Sequence, residues 1–277
     1  MKKQRALGLL AAGRISPAVA RLPRLADQLG PVKAASFRVA SRLVNRLRAG
    51  FATASFDPFE YCRVVLISVP DEDFSSWIAE MARAGRLWAK KTVVLCDSAL
   101  DSRDLTPLAR LGAHVATLGA ASTGPAAAYV VEGQADAVRE VRRLFRNSGC
   151  RLLEVARGKK ALYSAGLAFA GTLFLPLVSA SADCLRRAGL TSSQAVDLAQ
   201  ATFQQTLRAY VKAGRKGWSG ALRDRDLEAV RRQVEALGVD HPVLGAYFAE
   251  TARLALAVLG EDPEWLRALE HGRAASA

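Results

Sequence analysis

Histidine, cysteine and methionine are scarce in this 277-residue chain, which has three, four and two of them. Cys62, Cys96, Cys150 and Cys184 lie far apart with no C-x-x-C pair, and His114, His241 and His271 are equally scattered. Such spacing points to no zinc site, no other metal and no disulfide framework, and it fits a reduced, cytoplasmic setting. Low-complexity linkers and internal repeats are also missing. With 51% hydrophobic and 23% charged residues the chain can bury a core, which excludes disordered and collagen-like classes. Carboxylates are rare at the front: the first fifty residues hold eleven Lys and Arg against Asp27 alone. Ten of the chain's thirteen net positive charges therefore sit there. A front this basic expects an anionic partner, and the candidates are nucleic acid, a membrane surface or a phosphate-bearing cofactor.

The first two candidates lack support. Aromatics are only 7% of the chain, and the basic positions are not interleaved with Phe or Tyr as in a base-stacking platform. No helix-turn-helix or zinc pattern appears, so no nucleic-acid partner is expected. The segment Met1-Lys2-Lys3-Gln4-Arg5 followed by apolar residues has the order of a signal peptide. Its apolar run is short, however, and Arg14 stands where a cleavage region should be small and neutral. A short buried strand is the better reading. Residues 161–182 (ALYSAGLAFAGTLFLPLVSASA) are 22 positions without a charge, long enough for a membrane helix. They also carry five hydroxyls, two glycines and Pro176, and their small residues suit close helix packing. The expectation is a buried central helix of an α-domain or dimer, with no membrane partner.

The rest of the pattern divides in two. Residues 7–12 read as a strand, followed by a Gly13 turn and a helix start at Ser16-Pro17. Pro23 should kink or restart that helix. Strands are expected over 32–37, 64–69, 92–95, 114–118, 128–131 and 151–155. Helices are expected over 39–48, 71–86, 102–111 and 136–147. This alternation implies a mostly parallel α/β sheet with helices on both faces. Beyond Gly158 only helices are expected. Thr191-Ser192-Ser193-Gln194 forms a capping box, Asp224 caps a helix through 237, and Asp240 with Pro242 opens another through 259. A last short helix starts at Asp262-Pro263. The domains are accordingly 1–157 (α/β) and 158–277 (all-α), joined near residues 156–160.

A strand that runs into a glycine turn and a helix start is a common pyrophosphate site. The dinucleotide fingerprint wants G-x-G-x-x-G, and here the positions read Ala11-Ala12-Gly13-Arg14-Ile15-Ser16, keeping only the middle glycine. At the end of the second strand an NAD site would place Asp or Glu for the ribose hydroxyls. This chain has no carboxylate between Asp27 and Asp57 and offers Arg38, Ser41 and Arg42 instead. Those residues could clamp a 2′-phosphate, which favours NADP over NAD. Ser68, Val69 and Pro70, at the end of the strand VVLISV, would flank the ribose and nicotinamide.

Six motifs occur in one order: residues 11–16, VVLISVPD at 64–71, GAHV at 112–115, AYVVEG at 128–133, ALY at 161–163 and WSGAL at 218–222. Together they resemble the Rossmann-like oxidoreductases whose helical C-terminal domain is known as domain of unknown function 2520. These are relatives of pyrroline-5-carboxylate reductase and the 6-phosphogluconate dehydrogenase superfamily. The resemblance runs from about Leu7 to Leu237 and implies NADP binding, a small-molecule substrate and a homodimer formed by the helical domain. It also shows departures. The family's Ser-Gly after the fifth strand is Asp97-Ser98, its His-Pro is Gly119-Ala120, its histidine after ALY is Ser164, and its asparagine further along is Thr172. A hydride acceptor needs a proton donor. Lys160 remains a candidate at the entrance to the long helix, with Ser164 one turn later as a relay. With so few polar groups left, a non-catalytic NADP-binding sensor or interaction module is the alternative.

Overall fold

The computed structural model describes residues 7–121 and 128–260. The basic residues Lys2, Lys3 and Arg5, the helix expected at Asp262-Pro263, and His271 lie outside the described residues.

Continuous apolar runs build the sheet. Strands β1 (Leu7–Ala11), β2 (Leu29–Ala34), β4 (Val64–Ser68) and β5 (Thr92–Cys96) are buried at every position, as strands covered on both faces must be. The others are β3 (Phe51–Thr53), β6 (His114–Ala121), β7 (Ala128–Gly133) and β8 (Arg151–Val155). The eight strands lie in the order β3-β2-β1-β4-β5-β6-β7-β8. Every pairing is parallel except β6 with β7. The strand order reverses between β1 and β4, and open α/β sheets of this kind place their crevice there, outside the carboxyl ends of the strands.

Alternate side chains feed two cores. Leu7, Leu9, Val64 and Leu66 pack with Val19, Leu43, Val138 and Val141, which come from α1 (Pro17–Ala20), α3 (Phe37–Leu47) and α6 (Ala135–Leu144). Leu10, Val65 and Ile67 pack on the other face with Phe74, Trp77 and Trp88, the first two from α4 (Asp71–Arg83). As expected, the first helix breaks at Pro23: α1 ends at Ala20 and α2 (Leu25–Gln28) restarts beyond it.

Three sequence expectations need correction in this part. The second strand starts at Leu29 rather than at residue 32. Leu7 faces Leu29 but Leu9 faces Val32, so Gly30 and Pro31 sit at a bulge that tolerates the missing Pro31 amide. Phe37 opens α3 instead of ending β2, because the Ser36 hydroxyl caps that helix by accepting from the Val39 amide at 3.3 Å. The helix expected over 102–111 is reduced to α5 (Thr106–Arg110). The Asp101 and Ser102 amides donate to the carboxylates of Asp104 (2.7 Å) and Glu132 (2.8 Å) and start a turn, not a helix.

The chain forms two compact units, Met1–Leu167 and Ala168–Ala277. α7 (Lys160–Ala170) begins in the first. The second holds α8 (Phe174–Arg187), α9 (Ser192–Ala213), α10 (Ala221–Asp224), α11 (Leu227–Asp240) and α12 (Pro242–Leu259). Its core joins Val230, Val234, Ala252 and Leu256, with Trp218 packed against them. The capping box is present: Thr191 Oγ1 accepts the Gln194 amide at 3.3 Å and Gln194 Oε1 accepts the Thr191 amide at 3.0 Å. Asp226, not Asp224, caps α11, and His241 Nδ1 rather than Asp240 caps α12. The single buried helix expected over 161–182 is two helices, parted by a turn at residues 171–173. Pro176 cannot donate into a continuing helix, so the chain restarts just before it. Many apolar side chains of this stretch are exposed, Leu162, Phe169 and Leu175 by 69%, 70% and 67%, while Leu177 and Val178 are half-buried. By length and composition alone, Lys160–Arg187 and Pro242–Leu259 could each cross a membrane.

Candidate active site

The crevice is built around one glycine. Gly13 leaves β1 at φ +143°, a conformation side-chain-bearing residues rarely adopt, and a Cβ there would meet only Val39 Cγ1, at 3.7 Å. The backbone is therefore open to close approach on that side. Ser68 at the end of β4 shapes the turn that follows. Its hydroxyl accepts the Ser16 amide at 2.9 Å and donates to the Arg14 carbonyl at 3.4 Å. The Ser16 hydroxyl is itself buried and has no hydrogen-bond partner among the described residues. These groups line a cavity of about 450 Å³ together with Val69, Pro70, Asp73, Cys96 and Asp97.

Asp97 alters the electrostatics of this cavity. It follows β5 at φ +47°, and its Oδ2 accepts the Ala18 amide at 2.5 Å while Oδ1 accepts the Ala120 amide at 2.8 Å. The protein's own carboxylate thus occupies the first amide of α1. Pro17 has no amide, and those of Val19 and Ala20 bond to the Ser16 carbonyl at 3.1 and 2.9 Å. The Ala12 amide goes to the Ser68 carbonyl at 3.3 Å. Among the described residues, the amides of Gly13, Arg14 and Ile15 and the orphaned Ser16 hydroxyl have no protein partner and remain for a ligand. That donor set, with the exposed Arg14, fits a pyrophosphate seated on the turn rather than on the helix start.

The sequence-nominated residues fall into three groups. Gly13, Arg14, Ile15, Ser68, Val69 and Pro70 line this one cavity, and Ala11 is buried beneath it at the end of β1. Arg38, Ser41 and Arg42 lie on α3, the helix whose Val39 approaches Gly13. Arg38 and Arg42 are exposed, and neither forms an ion pair among the described residues. Lys160 and Ser164 are on α7 and do not line the cavity. Lys160 is buried, and its Nζ donates to the Leu100 carbonyl at 2.7 Å. Burial lowers its pKa, opposed most by the nearby carboxylates of Glu132 and Asp71 and, less, by that of Asp101. Ser164 is exposed. Sequence reasoning nominated neither Asp97 nor Glu132. Each was visible as a single carboxylate at the edge of, or inside, an apolar strand run, which is a costly place for a charge without partners.

Residues 127–254 match the family described as Domain of unknown function (DUF2520), a match that begins with the last strands of the sheet and continues through the helical part. No curated protein sequence matches the chain. Among solved structures, it is similar to a candidate NADP oxidoreductase of Bacteroides fragilis at 12% identity and TM-score 0.67, covering 90% of this chain and 96% of that one. It is also similar to an imine reductase of Myxococcus stipitatus in complex with NADP+, at 16% identity and TM-score 0.64, covering 91% and 94%. An imine reductase of Aspergillus terreus in complex with NADPH4 and dibenz[c,e]azepine aligns at 16% and TM-score 0.59, covering 97% and 94%. The resemblance read from the sequence is borne out: a DUF2520 region on the fold of the Rossmann-like oxidoreductases, with helices after the sheet.

Proposed function

We propose that this chain, a Rossmann-like oxidoreductase fold bearing a DUF2520 region, binds NADP(H) and transfers a hydride to or from a C=N or C=O group of a small metabolite. The observation that carries this reading is the Gly13 turn. It lies open at the switch point of the sheet, with a spare buried hydroxyl on one side and two exposed, unpaired arginines on the neighbouring helix. The amides of Gly13, Arg14 and Ile15, with the Ser16 hydroxyl, hold the pyrophosphate above Ala11. Arg38 and Arg42, assisted by Ser41, hold the 2′-phosphate, since guanidinium forks match phosphate oxygens and stay charged. Val69 and Pro70 present an apolar edge to the nicotinamide beyond Ser68. Bound NADPH supplies the hydride. Lys160 donates the proton as charge develops on the acceptor, and Ser164 relays it.

Residues 1–157 serve the cofactor in this reading, and residues 158–277 form a homodimer of a soluble, cytoplasmic protein. The exposed apolar residues of the helical part, Leu175, Val211 and Val258 among them, are what a second copy would cover. One observation favours a second reading, a non-catalytic NADP-binding sensor or interaction module. The Lys160 ammonium is engaged by a backbone carbonyl, and neither it nor Ser164 lines the cavity.

Calorimetric titration of the purified chain with NADPH and with NADH tests the cofactor. NADPH is expected to bind at least tenfold more tightly, a difference of about 1.4 kcal/mol. Replacing Arg38 and Arg42 by Ala should abolish that ratio. Absence of binding by either dinucleotide would end the reading, while binding without turnover across C=N and C=O substrates would select the sensor.

A further inference from the structure

We propose that Glu132 is the positioning residue for Lys160: its buried carboxylate ties the turn after β5 to the backbone where α7 begins, and so holds the lysine ammonium near the carboxyl edge of the sheet. The proposal rests on the reading of Lys160 as proton donor, but its test does not. Glu132 stands on β7 and is fully buried. Its Oε1 accepts the Ser102 hydroxyl at 2.7 Å and the Gly158 amide at 2.9 Å. Its Oε2 accepts the Ser102 amide at 2.8 Å and the Thr117 hydroxyl at 3.4 Å. Four donors from three separate segments converge on one side chain. An apolar side chain in its place would leave the Ser102 and Gly158 amides without these acceptors.

The segments joined are those that place the lysine. Ser102 follows Leu100, whose carbonyl accepts from Lys160 Nζ, and Gly158 lies two residues before Lys160. The Gly158 peptide is gripped from both sides, with its carbonyl accepting from Arg103 at 3.4 Å. Arg103 in turn pairs with Asp101. The charged and titratable groups around the ammonium are Glu132 from β7, Asp71 from the start of α4, Cys96 from β5 and Asp101 from the turn. Arg103 and the exposed Arg157 and Lys159 are the neighbouring cations. Glu132 contributes the largest of the charge effects that offset the desolvation of Lys160, so it is the anion on which the protonated state most depends.

The test is the titration midpoint of Lys160 in the full chain carrying 13C-labelled lysine, with the signal identified by its loss in Lys160→Met. Glu132→Gln is expected to lower that midpoint by about one pH unit, the scale of one lost neighbouring charge. Glu132→Asp keeps the charge and should lower it less, and Thr117→Val, which removes only a neutral donor, should leave it in place. An unchanged midpoint in folded Glu132→Gln would overturn the proposal. If that variant does not fold, an unchanged midpoint in Glu132→Asp, whose shorter side chain retreats from Gly158 and Ser102, would do the same. The titration uses neither cofactor nor substrate, so a chain that fails to bind NADPH but shows the shift refutes the oxidoreductase reading and leaves this one standing.

Discussion

Replacing Asp97 by Asn should tighten NADPH binding, even though it removes one good hydrogen bond from the folded protein. The Asp97 carboxylate lines the same cavity of about 450 Å³ as the Gly13 turn, so a phosphate seated there would share the cavity with it. Two unit charges about 6 Å apart repel by about 0.7 kcal/mol at the dielectric of water and about 2.8 kcal/mol at an effective value of 20. The cavity is partly open, so an intermediate value near 1.4 kcal/mol, or tenfold in affinity, is the expectation. Asparagine keeps the shape and one acceptor oxygen, so only one of the Ala18 and Ala120 amides loses its partner. That loss should cost about 1 kcal/mol of stability. The assay is paired: calorimetry for NADPH affinity at low and at physiological salt, and thermal unfolding without ligand. Asp97→Asn should melt lower yet bind more tightly, and the gain should shrink as salt is added. A variant that melts lower and binds NADPH no better, or worse, would refute the reasoning. Asp97 would then be a ligand contact, or the phosphates would lie elsewhere.

Two further outcomes test the frame around the site. Gly133→Ala should destabilise the chain by about 1–3 kcal/mol in denaturant unfolding, because the added Cβ would sit 2.6 Å from both Ala116 Cα and the Val115 carbonyl in the β6–β7 pair. Stability within experimental error of the parent would show that this pairing is looser than described. Burial pushes the Cys62 thiol up to about 11 and raises Cys96 as well, so both remain neutral thiols at pH 8. Maleimide should therefore leave Cys62 and Cys96 unlabelled in the folded chain and reach them only in denaturant, as read by mass spectrometry of the peptides.

The sheet was legible because its signal is local. Runs such as VVLIS at β4 and TVVLC at β5 are apolar at every position, and only a strand covered on both faces uses that pattern. The bulge at Pro31 was not legible, since a register slip depends on what the neighbouring strand presents, and Leu7 and Leu9 carry no mark of it. The exposed apolar surface of α7 and α8 was misjudged for a related reason. Composition reports that a helix must be covered, but a single chain need not supply the cover. The site divides the same way. Gly13 could be read because a positive φ at a strand end leaves a residue-level trace. Asp97 and Glu132 could not be assigned, because a carboxylate's role lies in the donors that fold brings to it, and those come from Ala18, Ala120, Ser102, Thr117 and Gly158, none adjacent in sequence. In this chain the positions that depart from the dinucleotide fingerprint are not simply eroded. Where the pattern wants an open helix start, Pro17 removes one amide and Asp97 takes the next, and Ser68 holds the turn that remains. The departures form a connected structure of their own, and a change at one of them should be felt at the others.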